Sequence, residues 1–168
     1  MIRRLCVSMT GCAPDDLEAL IAEVSAAAQL ERLLWNDSVA LPRVGVLPPG
    51  FDESRVVADL VTGTLAAVLR SGKSLSVRLA LHEGPTFLSG AEFGGPAVET
   101  VRAMCVGGRL PAPLTVVISG RLFDDVVAIG AEGFPLRSFR PSAAGFWRAF
   151  LPDRQPPDSD GAQNDDAG

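Results

Sequence analysis

The chain is short of the residues that most often carry chemistry. It has one histidine, His82, and one lysine, Lys73, against fourteen arginines. Its three cysteines, Cys6, Cys12 and Cys105, show no metal or redox spacing, and an odd number makes no disulfide framework. They read as small hydrophobes of a reduced protein. No window approaches the roughly 20 apolar residues of a membrane span. The opening MIRRLCVSMTGCA sets two arginines before an apolar stretch, as a secretory leader does, but Ser, Thr and Gly interrupt it too soon. A cytoplasmic protein with no membrane contact, no metal and no cofactor is expected. The scattered Arg137, Arg140 and Arg148 make no basic footprint, so nucleic acid is not an expected partner.

The net charge of −5 is unevenly held. Residues 152–168 contain five Asp and one Arg, which leaves the remainder close to neutral. That tail, rich in Pro, Asp and Gly, reads as disordered and solvating. Residues 1–151 are 151 of the 168 and read as one domain, since a chain that is 47% apolar can bury a real core.

Periodicity sets out the elements. Over 4–9, Leu5, Val7 and Met9 alternate with Arg4, Cys6 and Ser8, which predicts a half-buried strand. Pro14-Asp15-Asp16 opens a helix whose buried stripe is Leu17, Leu20, Ile21, Val24 and Ala28, fraying at 33–36. Short strands at 38–41 and 43–47 are separated by Pro42. Asp52 caps a second helix striped by Val56, Val57, Leu60, Val61, Leu65, Val68 and Leu69 and ended by Ser71-Gly72. Over 74–82, Leu75, Val77, Leu79 and Leu81 oppose Ser76, Arg78, Ala80 and His82. A sheet with one apolar and one polar face takes its helices on a single side. A hairpin at 85–90, a helix at 96–105, a strand at 114–118, a helix at 121–129 stopped by Gly130, and strands at 136–140 and 146–151 complete the body. The order is an α+β class, ferredoxin-like β-α-β-β-α-β core with an antiparallel or mixed sheet and a C-terminal α/β extension.

The stretch VRLALHEGPTFLSGAEFGGPAVETVRAM, followed by LTVVISGRLFDDVV, resembles the class III adenylate and guanylate cyclase homology domain. The likeness extends through LPPGFDESRVVADLV and LCVSMTG, covering most of 3–151 in the right order. It implies a nucleotide cyclase-like fold in which two aspartates hold two divalent ions, an Asn and an Arg on a later helix stabilise the transition state, and a dimer completes the site. The first aspartate position falls on Ser8, three residues before Gly11, and the second on Leu41, at the strand tip before Pro42. Counted from Val98, the Asn and Arg positions fall on Glu99 and Ala103. Hard cations prefer carboxylate oxygen, and losing a ligand removes a two-metal mechanism outright. The resemblance therefore implies a degenerate, pseudocyclase-like domain with no catalytic residues.

Other polar residues have plain readings. His82 is a structural residue at a strand end, and Glu83 belongs to a turn. Asp124-Asp125 is a solvated helix face. Gly94-Gly95-Pro96 is a turn leading into a helix, and Arg137 with Arg140 keeps an edge soluble. Trp35 and Trp147 are packing residues.

A catalytically inactive, signalling or regulatory interaction module follows, acting through a homodimer or a heterodimer with a cyclase-like or effector protein. Its expected contact surface is the polar sheet face of Arg4, Cys6, Ser8, Arg78 and His82, with the 85–90 hairpin. One alternative is a residual or heterodimeric cyclase converting ATP or GTP, in which Asp37 and Arg102 are the salvageable groups. Another is a small-ligand sensor that reuses the nucleotide cleft, made more apolar by Leu41.

Overall fold

The computed structural model describes residues 1–27, 34–36 and 41–152. The strand expected at 38–41, except for Leu41, lies outside them, as do Ala28 and Leu33 of the expected first helix, Asp37 and the tail beyond residue 152; Leu34 and Trp35, in the expected fraying region of that helix, pair as a short strand instead. The elements run β1 (Ile2–Thr10), α1 (Pro14–Ala27), β2 (Leu34–Trp35), β3 (Arg43–Val46), α2 (Glu53–Arg70), β4 (Val77–Ser89), β5 (Glu92–Gly94), α3 (Pro96–Cys105), β6 (Leu114–Ser119), α4 (Gly120–Ile129), β7 (Arg140–Pro141) and β8 (Phe146–Leu151). This is the mixed α+β arrangement expected. The main sheet has the order β2-β3-β1-β4-β6-β8-β7, with β5 attached to β4. Among the described residues only β4 and β6 pair in parallel; β1 runs antiparallel to both β3 and β4.

Local chemistry accounts for most boundaries. Asp52 caps α2 by accepting the Arg55 N–H at 3.2 Å, and Gly130 closes α4 in the left-handed region at φ 59°. Gly95, at φ 113°, precedes Pro96; a Cβ there would stand 3.0 Å from the Pro85 carbonyl oxygen, so no larger residue fits the turn into α3. The odd-numbered face of β1 and β4, with Leu5, Val7, Met9, Leu79 and Leu81, packs under α1, α2 and α4 as the main core.

Three further expectations need correction. The helices are not all on one face: α3 packs on the other side, where Ala97, Val98, Val101 and Cys105 close over Cys6, Val44, Val46 and Ala80. Small side chains at Cys6 and Ala80 let the helix sit close, so the face that alternates as polar is in this half a second core. The strand expected at 74–82 runs instead from Val77 to Ser89, because β1 pairs with it through Thr86 and Gly84 leaves room for Ala97 of α3. The strand expected at 136–140 is a 3₁₀ turn at Leu136–Ser138 followed by two strand residues. Phe139 turns inward there onto Phe123 and Phe134, at centroid distances of 5.3 and 5.1 Å, and leaves the ladder. Trp147 stacks on Phe123 at 4.2 Å, the packing role expected of it.

Candidate functional site

The expected contact face divides into buried and accessible residues. Cys6 and Ser8 are fully buried beneath α3, and Arg78 is 8% exposed, so none of the three is available to a partner on the outer surface. Burial pushes the Cys6 thiol up to about 12 and the Cys105 thiol up to about 11, which makes both inert as nucleophiles. Cys105 donates to the Ser8 carbonyl oxygen at 3.2 Å. Arg4 and His82 keep part of their surface. Burial holds the His82 imidazole below its ordinary 6.5, against the opposing pull of Glu83.

Arg78 is an internal strut. Its guanidinium donates to the carbonyl oxygens of Cys105 at 3.1 Å, of Gly107, and of Arg109 at 3.5 Å. The first is an orphan acceptor at the C-terminal end of α3, where a cation also meets the negative end of the helix dipole, and the other two belong to the loop that follows. Glu83 is not a turn residue. It lies inside β4, is 7% exposed, and binds Arg3 of β1 and, at 2.9 Å, Arg121 of α4. Asn36 was not singled out by sequence reasoning. Its amide donates to the Phe93 carbonyl at 3.1 Å and accepts the Phe93 N–H at 2.9 Å, tying β5 to the β2 side of the sheet.

The four positions of the cyclase pattern lie in different surroundings. Ser8 is sealed in the second core, with a hydroxyl that makes no hydrogen bond. Leu41 lines a cavity of about 290 Å³ with Thr10, Pro42 and Leu110, against the chain segment that follows α3. Glu99 is exposed on α3 and pairs with Arg102 at 3.7 Å. Ala103 is exposed one turn further on. A sealed hydroxyl and an aliphatic side chain do not fit a pair of divalent ions. Among the described residues no three His, Cys, Asp or Glu side chains are grouped to hold a metal. Asp125 pairs with Arg121 at 3.9 Å on the surface of α4, as a solvated acid does.

A cleft does form, in the half of the face that α3 leaves uncovered. β6 and β8 extend the sheet beyond α3, and the space between is about 670 Å³. Thr115 and Val117 form the floor, with Phe146, Arg148 and Phe150 on the outer strand. Thr100, Ala103 and Met104 of α3 face it across the gap, spaced so that they share one side of the helix. The loop 106–109, held by Arg78, makes one end. Sequence reasoning missed this cleft. Its signal, alternation of Thr115 and Val117 with Val116 and opposite Arg148 and Phe150, is visible only once β6 and β8 are paired.

No family model matches the sequence, and no curated protein matches it. Solved structures match in fold. An adenylate/guanylate cyclase/hydrolase from Silicibacter pomeroyi superposes with a TM-score of 0.60 at 12% identity, over 91% of this chain and 100% of that one. The monomeric guanylyl cyclase domain of the RhoGC fusion protein from the aquatic fungus Blastocladiella emersonii gives 0.59 at 14% identity, over 88% and 92%. The adenylyl cyclase CyaB from P. aeruginosa gives 0.51 at 15% identity, over 91% and 97%. Pairing, helix placement and these superpositions agree that the chain has the fold of an adenylate/guanylate cyclase domain.

Proposed function

We propose that the chain is a catalytically inactive cyclase-like domain that works through protein association. The observation that carries the reading is Ser8: where the cyclase pattern calls for a metal-binding carboxylate, the chain has a hydroxyl enclosed under α3. Leu41, Glu99 and Ala103 extend the same departure to the other three positions. A fold alone hosts many activities, and the side chains at these positions carry the distinction.

With Cys6, Ser8 and Arg78 buried, the proposed contact surface contracts to Arg4, His82 and the β4–β5 hairpin. Leu88 at its tip is 63% exposed, beside exposed Phe87 and, at the start of β1, Ile2. An apolar hairpin of this kind suits a second copy or a related domain more than solvent. No helix among the described residues is long and apolar enough to cross a membrane.

Purified protein incubated with ATP or GTP and Mn²⁺ or Mg²⁺ should yield no cyclic nucleotide by mass spectrometry. Product that disappears in a Glu99→Ala, Arg102→Ala double variant would overturn the inactive reading. Sedimentation velocity should detect a dimer that Leu88→Asp dissociates. A wild-type chain that stays monomeric up to about 100 μM would have a dimer Kd weaker than that, about −5.5 kcal/mol, and would remove self-association from the reading.

A further inference from the structure

We propose that the cleft between α3 and β6–β8 binds an amphipathic organic anion, one carboxylate or phosphate head on an apolar body. Four features of the cleft converge on that chemistry.

The first is charge. The lining includes Arg78, Arg109 and Arg148 and no Asp or Glu. Arg78 is committed to the carbonyls at the end of α3, but the Arg109 and Arg148 side chains form no ion pair among the described residues. Two uncommitted guanidiniums match a head of one or two negative charges, and a guanidinium fork is built for carboxylate or phosphate oxygens.

The second is an orphaned polar group. Thr115 is 1% exposed, yet its hydroxyl has no hydrogen-bond partner. A buried hydroxyl is normally paired. This one lies on the cleft floor, in register between Arg78 and Phe150 and diagonal to Arg148. A head group held by Arg148 would be within reach of it.

The third is the wall. Val117, Met104, Phe146 and Phe150 surround the floor, and Phe150 and Val106 keep large apolar surfaces open at the mouth. Phe150 is 45% exposed although its neighbours on β8, Ala149 and Leu151, are buried. An aromatic or alkyl body would cover these surfaces; a bare inorganic ion would not. The fourth is size, since about 670 Å³ is in the ordinary range of small-molecule pockets. A nucleoside triphosphate is a poorer match. It brings about four charges to two free guanidiniums, with no carboxylate in the lining to share a metal.

The test uses the full chain and a matched pair of fluorescent probes: 8-anilinonaphthalene-1-sulfonate, and the neutral N-phenyl-1-naphthylamine, which has the same body without the sulfonate. The anionic probe should bind about tenfold more tightly than the neutral one, as a charge-assisted contact implies. Arg148→Met, at an exposed strand position that tolerates change, should erase that preference and leave the neutral probe unaffected. Ala103→Phe, on the open side of α3, should fill the gap and displace both. Dodecanoate should compete with the sulfonate, and inorganic phosphate should compete far more weakly. Equal binding of the two probes, an anion preference that survives Arg148→Met, or phosphate competing as well as dodecanoate would each overturn the proposal. So would no binding of either probe up to millimolar concentration.

Discussion

One register line crosses the sheet through Ser8, Ala80, Val117 and Arg148. At its β1 end the side chain is sealed under a helix; at its β8 end it is a guanidinium in solvent. All four residues belong to one face, yet the two halves of that face have opposite characters. α3 sits on β1, β3 and β4 and ends short of β6 and β8, and its placement alone makes the difference. Strand alternation tells which residues share a face. It does not tell what covers them.

The sharpest way to break the comparison is to give both ends a change of charge. Ser8→Asp would place a carboxylate where no water reaches, and should cost about 3 kcal/mol or more in urea unfolding at pH 7. The cost should shrink at pH 4, because desolvation raises the carboxyl pKa and the protonated form is cheaper to bury. Arg148→Met at the open end should stay within about 0.5 kcal/mol of wild type. Similar costs at the two positions would mean that α3 does not seal the Ser8 end.

Arg78 stands at the boundary between the halves. Arg78→Leu removes the donors that hold the carbonyls of Cys105, Gly107 and Arg109, and should destabilise by about 2 kcal/mol. The loop 106–109 should lose its form with them, so amide hydrogen exchange there should speed up more than in β1 or α2. Uniform acceleration throughout would assign Arg78 a global role and not a local one.

What the sequence revealed follows from how local each cause is. The stripe of α2 from Val56 to Val68, the cap at Asp52, the stop at Gly130 and the span of β8 depend on neighbours within a few residues, and each stands where expected. The cover on Cys6 and Ser8 depends on a helix some 90 residues later, and Glu83 is held by partners 80 residues before it and 38 after. Small buried residues such as Cys6 and Ala80 look the same in sequence whether a helix or water lies above them. Only the thiol, a residue type seldom left in solvent, hinted at burial. The cleft was hidden for the same reason, since Thr115 and Arg148 meet only through strand pairing.

Smaller effects test the side of the sheet that was read correctly. Asp52 caps a helix of the main core, away from α3. Asp52→Ala should cost about 1 kcal/mol and leave probe binding in the cleft unchanged. A loss of binding with that change would couple the two faces through the sheet, and the description of two separately packed layers would need revision.

His82 gives the finest distinction, because it lies at the edge of the covered half. Its folded-state pKa is below the ordinary 6.5, chiefly through burial, while in the unfolded chain it is near that value. Between the two values the unfolded state binds more protons, so stability rises with pH. The His82 contribution is therefore complete above about pH 6.5 and is lost as pH falls toward the folded-state value. His82→Gln keeps a polar side chain of similar reach and removes the titration. Denaturation midpoints followed from pH 7 to pH 5 should fall less steeply for the variant than for wild type. If the two slopes coincide, the imidazole is as well solvated as in the unfolded chain, and α3 does not shield the sheet as far as the β4 residue beside Glu83.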